Sequence, residues 1–147
     1  QMNGKTYKVL KEVLAHPNGY LSISDLAFTT NMTCKQIYAI LSILHLEFVH
    51  KEYDQDIKSS RFRIEATVEQ REDTLRKATI EYYGISDDKM YAVYQALSPV
   101  GWLTISDITA DTGLNVQDVS KTLLVMEGVV SEERGSSVYY RRCEQVL

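Results

Sequence analysis

The sequence is poor in the residues that usually announce a function. Its 147 positions hold two cysteines, two prolines and one tryptophan. Cys34 and Cys143 lack the C-x-x-C spacing of a metal or redox pair and read as free thiols in a reducing compartment. No apolar run approaches the length that spans a bilayer, and no charged segment followed by an apolar one marks a signal peptide. A cytoplasmic protein with no membrane partner is the expectation. Basic excess is missing as well: the net charge is −4, which argues against a chain that coats nucleic acid without specificity. There is no G-x-S-x-G, no phosphate-binding loop, no H-E-x-x-H and no dinucleotide fingerprint, so no enzyme is expected and no cofactor. His16, His45 and His50 have no ligand spacing, and neither cysteine nor carboxylate completes a metal set.

What the chain does have is a repeat. Residues 17–26 read P-N-G-Y-L-S-I-S-D-L, and residues 99–108 read P-V-G-W-L-T-I-S-D-I. Pro17 matches Pro99, Gly19 matches Gly101, Tyr20 matches Trp102, and Ile23-Ser24-Asp25 matches Ile105-Ser106-Asp107. Self-similarity of this kind marks one structural unit used twice. A helix precedes the match in both copies. Tyr7, Leu10, Val13 and Leu14 recur at helical spacing in the first, and Met90, Val93, Ala96 and Leu97 in the second. Ser86 suits an N-cap, with Asp87 and Asp88 favourable in the first turn. The prolines stop these helices and the glycines allow the turn that follows. Tyr20–Ile23 and Trp102–Ile105 then alternate like short strands.

A second helix is expected from Ser24 and Ser106, ending near Asn31 and Gly113, residues that tolerate left-handed backbone. Thr33 and Asn115 suit N-caps of a third helix. That helix carries Ile37, Ile40, Leu41 and Leu44 in one copy, and Val119, Leu123 and Met126 in the other. Each copy closes with a hairpin pattern. The first runs over Phe48–Tyr53 and Arg61–Ile64, and the second over Val129–Glu133 and Val138–Arg141 with a Gly-Ser tip. Between the copies, Glu72 with Arg76 and Asp73 with Lys77 have the i,i+4 order that supports a connecting helix. Val68, Leu75, Ala78 and Tyr82 give it an apolar stripe suited to either module or to a second chain, and Gly84 stops it. The expected class is mainly α with small β-hairpins (α+β): residues 1–65 form module 1, 66–85 the connecting helix and 86–147 module 2.

The order helix, strand, helix, helix, hairpin resembles the winged helix-turn-helix family over residues 5–65 and 86–143. The resemblance implies double-stranded DNA as partner, with the third helix in the major groove and the wing on backbone. Carried onto the first copy, the reading positions are Thr33, Lys35, Gln36 and Tyr38, with Lys58, Arg61 and Arg63 as wing contacts to phosphate. A solvated third helix carries Lys and Gln in any case. In the second copy the positions are Asn115, Gln117 and Lys121, with Arg134 and Arg141 on the wing. There Asp118, Glu132 and Glu133 oppose a DNA backbone, and the surface suits a protein partner equally. Most tyrosines, among them Tyr7, Tyr20, Tyr38, Tyr91 and Tyr94, are expected in the small cores rather than stacked on bases. Cys34 sits near the start of the third helix, where use as a small residue is commoner than a redox switch.

The resemblance therefore implies a DNA-binding transcriptional regulator whose first module makes the main contact. A protein-interaction or assembly component built on winged helices is the competing class. A replication or phage-plasmid accessory protein shares the DNA prediction. Modules this small lean on a neighbour, which favours a homodimer over a monomer.

Overall fold

A computed structural model describes residues 2–143. The chain divides into two compact units, one ending at Ala78 and the other beginning at Thr79. Seven helices and two small antiparallel sheets make up the described residues, a mixed α+β fold. No described helix is long and apolar enough to cross a membrane.

In the first unit, α1 (Gly4–Ala15) starts at Asn3, whose side chain accepts from the Thr6 amide at 2.9 Å. Its buried face holds Tyr7, Val9, Leu10, Val13 and Leu14, as the apolar periodicity predicts. The short β1 (Gly19–Tyr20) leads into α2 (Ile23–Thr30), and α3 (Cys34–Leu44) follows. The α2–α3 turn depends on Asn31, which adopts left-handed backbone (φ 56°) and donates its amide to Ala27 and Phe28 carbonyls. Asparagine accepts that conformation more readily than most residues with a Cβ. Thr33 and Gln36 close a full capping box at the start of α3, a feature worth about 1 kcal/mol to a helix. The wing is β2 (Val49–Asp54) with β3 (Ser59–Ile64), and β1 joins the other edge of β3 to give the order β1-β3-β2. Leu10, Val13, Ile37, Leu41, Phe62 and Ile64 are buried in this unit.

The second unit repeats the plan with α5 (Asp87–Ala96), α6 (Ile105–Thr112), α7 (Val116–Val125), β4 (Val129–Arg134) and β5 (Ser137–Arg142). Ser86, Thr104 and Asn115 cap the three helices, and Gly113 (φ 74°) turns α6 into α7. Val93, Leu97, Ile108, Val119 and Leu123 form its core, with Leu103, Met126, Val129 and Tyr140 packed around them. The strand after the first helix is reduced to one bridge, Leu103 with Tyr140. Both units are winged-helix-like.

Two local expectations change. The second helices start at Ile23 and Ile105, one residue before Ser24 and Ser106, and are capped by Ser22 and Thr104. Each is followed three positions on by an aspartate amide that bonds its hydroxyl, Asp25 and Asp107. This cap ends the strands at Tyr20 and Leu103, so the alternation through Ile23 and Ile105 belongs to the first helical turn. The tyrosines also divide differently. Tyr7 is buried and Tyr38 half-buried against Phe62, but Tyr20, Tyr91 and Tyr94 are exposed (48%, 66% and 39%). Val93 on α5 and its C-cap Leu97 supply the buried positions there, and Tyr91 and Tyr94 fall outside them.

The connecting helix α4 runs over Val68–Tyr83, with Gly84 (φ 63°) behind it. Asp73 pairs with both Arg76 and Lys77. Of the apolar stripe, Ala78 is buried while Val68 stays 70% exposed. The residue that ties α4 into the first unit is polar. Arg71 donates to the carbonyls of Leu14 (2.8 Å) and His16 (2.6 Å) and to Asn18 Oδ1 (2.7 Å). These are acceptors left open where α1 ends.

Candidate nucleic-acid interface

Helix α3 begins immediately after the turn, and that fixes what it can present. Thr33 and Gln36 are expected to read bases, yet both are engaged in the cap. The Thr33 amide donates to Gln36 Oε1 at 2.9 Å, and the Gln36 amide donates to Thr33 Oγ1 at 3.2 Å. Lys35 is exposed, with no carboxylate partner among the described residues. Tyr38 is half-buried and its hydroxyl donates to the Ser60 carbonyl, which fixes α3 to the wing. Further along, the exposed positions are Ala39, Ser42 and Ile43, the last 72% exposed. Lys35 is the one cation that the described α3 carries.

The wing is a more surprising surface. Asp54 accepts from the amides of Asp56 and Ile57 and thereby shapes the four-residue loop of the hairpin. Its other oxygen takes Arg61 at 3.0 Å. Arg61 in turn lies over the Tyr20 ring, 3.8 Å from its centroid. Arg63 is held between Glu52 (3.0 Å) and Glu65 (2.8 Å). Two of the three expected wing contacts are thus already paired with carboxylates. Lys58 stands at the end of the loop with φ 51°, exposed and without a carboxylate partner among the described residues. The sequence shows the arginines, but the register that sets Glu52 opposite Arg61 and two residues from His50, the strand partner of Arg63, comes only from strand pairing.

These pairs leave a titration signature. The Arg63 hydrogen bond holds the Glu52 carboxyl below its usual range, Arg61 does the same for Asp54, and Arg63 for Glu65. A carboxyl whose folded pKa is depressed contributes stability above its unfolded pKa and loses it as pH falls through the folded value. We therefore expect the contribution of these three carboxyls to hold down to the ordinary carboxylate range near pH 4 and to be lost below it. In Arg61→Met/Arg63→Met that part of the acid dependence should shrink. Melting curves at a series of pH values check this, and an unchanged acid profile in the double variant would contradict it.

In the second unit the expected positions are more deeply engaged. Asn115 caps α7 by accepting from the Asp118 amide at 2.8 Å, and Asp118 pairs with Lys89 at 3.5 Å. Gln117 is exposed. Lys121 sits over the Tyr83 ring, 4.5 Å from its centroid. Arg134 pairs with Glu132 at 2.9 Å and faces Trp102 and Tyr139. Arg141 covers Trp102 and donates to the Pro99 carbonyl. Trp102 is half-buried under two guanidinium groups. Arg142, the third arginine of this hairpin, lies over Tyr94, 4.7 Å from its centroid. The two units also differ in charge: the first holds eleven Lys/Arg against ten Asp/Glu, the second five against ten.

No group of three or more His, Cys, Asp or Glu among the described residues is placed to hold a metal ion. Both cysteines are exposed, Cys34 as the first residue of α3.

No family model matches the chain, and no curated protein does. Among solved structures it is similar to ScpB from Mycobacterium tuberculosis, at 14% identity over 97% of this chain and 92% of that one, with a TM-score of 0.32. It is also similar to the DIP2311 protein from Corynebacterium diphtheriae, at 17% identity over 94% of this chain, with a TM-score of 0.31. This chain spans 26% of that protein's length. Both likenesses are too distant to bear on fold or function.

Proposed function

We propose that this chain is a DNA-binding transcriptional regulator built on tandem winged-helix-like units, with the first unit as the main duplex contact. The observation that carries the reading is the position of Lys35 and Lys58. One opens α3 and the other ends the wing loop, the two places where a winged helix meets a duplex. Both lack a carboxylate partner among the described residues, in a molecule where arginines at comparable places are paired. The contact is electrostatically modest. Titrating duplex binding against salt should give a shallow dependence, and Lys35→Ala and Lys58→Ala should each flatten the slope by about one. A wild-type chain that binds no duplex at low salt would sink the proposal.

A second reading has its own support. The acid-rich second unit, with exposed Val116 and Leu124 on α7, suits a protein partner better than a phosphate backbone. In this reading the chain is an assembly component, and duplex binding is negligible from the start. A replication accessory protein would share the DNA result.

A further inference from the structure

We propose that the cleft between the start of α1 and the α2–α3 turn binds a backbone phosphate of duplex DNA, an inference that rests on the DNA-binding reading. The cleft has a volume of about 560 Å³ and lies open to solvent. Gly4, Lys5 and Lys8 form one wall, and Thr30, Asn31 and Met32 the other. No carboxylate lines it. Lys5 and Lys8 are three apart on one helix, so their side chains share a face. Both are exposed, and neither has a carboxylate partner among the described residues. That sets them apart from the wing arginines, each of which would have to leave a carboxylate to meet a phosphate.

Backbone donors add to the lysines. Asn3 satisfies the amides of Thr6 and Tyr7 through its side chain and carbonyl. The Gly4 and Lys5 amides precede the first intrahelical acceptor, so the helix supplies them with none. They lie at the positive end of a 12-residue helix. The opposite wall is the helix-turn-helix turn itself. Its Asn31 and Met32 amides are used internally, on Ala27 and Phe28 carbonyls, so the positive charge of the cleft comes from α1. Thr33 follows Met32 directly along the chain, and Lys35 lies two residues beyond Thr33. A phosphate in the cleft would therefore lie beside the N-terminus of the helix expected in the groove. An open trough lined with cations fits a polymer backbone better than an enclosed small molecule.

The full chain carrying Lys5→Ala/Lys8→Ala provides the test, with circular dichroism as a check on folding. Binding to a duplex is followed by anisotropy between about 50 and 200 mM salt. Each lost phosphate contact removes about 0.9 from the salt slope, or roughly eightfold in affinity at about 0.1 M. The double variant should thus bind roughly ten- to a hundredfold more weakly, with a slope shallower by about two. Lys5→Arg/Lys8→Arg should retain most of the affinity. Lys11→Ala/Lys77→Ala changes the net charge equally and should leave the slope in place. If Lys5→Ala/Lys8→Ala binds like the wild type while Lys35→Ala and Lys58→Ala weaken binding, the cleft is no phosphate site and the DNA-binding reading stands. An equal loss in Lys11→Ala/Lys77→Ala would also overturn the site, because net charge alone would then account for the effect. A wild type that binds no duplex overturns the cleft and the reading together.

Discussion

Ile108→Ala should destabilise the second unit by about 2–5 kcal/mol, the range for truncating a fully buried isoleucine. Ile108 has no exposed surface and packs with Val93, Leu97, Val119 and Leu123 in a small core cluster of five buried residues. Loss of three carbons leaves a void that so few neighbours cannot refill. A domain of this size has a total stability of the order of 5–15 kcal/mol, and small units sit at the low end. The variant should therefore lie close to its unfolding limit at 25 °C. The chain offers a clean probe, because its sole tryptophan, Trp102, lies in this unit. Guanidinium unfolding followed by Trp102 fluorescence should show a lower midpoint with a similar slope. Ile108→Val should lose about 0.5–1.5 kcal/mol on the same scale. A shift below about 1 kcal/mol in the alanine variant would mean that the side chain is not enclosed as described.

The second large effect concerns a polar side chain. Arg71→Ala should cost the first unit about 2–3 kcal/mol, because it removes charge-assisted hydrogen bonds to two carbonyls and to Asn18. Asn18 also exchanges two hydrogen bonds with Ala66, accepting from its amide and donating to its carbonyl. The Pro17–Asn18 corner and the entry to α4 should loosen together. Arg71→Lys should recover only a small part, since an ammonium cannot span three acceptors in a fixed fork. Amide exchange at the C-terminal end of α1 is the measurement. A lysine variant as protected as the wild type would show that charge alone matters there and would contradict the fork.

The fold was largely legible because its signals are local. The apolar spacing of α1, the caps Thr33, Ser86 and Asn115, and the left-handed stops at Asn31 and Gly113 are each written within four residues of sequence. The starts of α2 and α6 are ambiguous in the sequence because Ser22-Ile23 and Thr104-Ile105 satisfy a strand pattern and a capping pattern at once. The cap prevails because it satisfies amides that a two-residue strand leaves open. The candidate interface was less legible. Lys35 and Lys58 stand where the pattern puts them. The pairing of Arg61 and Arg63 depends on β2–β3 register, and Lys5 and Lys8 meet the α2–α3 turn only through helix packing. Neither relation is encoded at short range. Arg71 could be expected on a helix surface, but no local rule connects it to carbonyls more than fifty positions away.

The reach of Arg71 has a consequence for cutting the molecule. The duplicated stretch and the self-sufficient piece have different ends. A fragment stopped at residue 65, where the repeat pattern closes, loses the guanidinium that covers the last turn of α1. It also loses Ala66, the partner of Asn18. A fragment begun at residue 86 loses Tyr83, over which Lys121 rests. The borders of the repeated pattern fall short of the structural dependencies of each copy, and α4 supplies a contact to each side, Arg71 to the first and Tyr83 to the second. An autonomous first half must carry its share of α4, and its clean excision point lies beyond the wing, inside a helix.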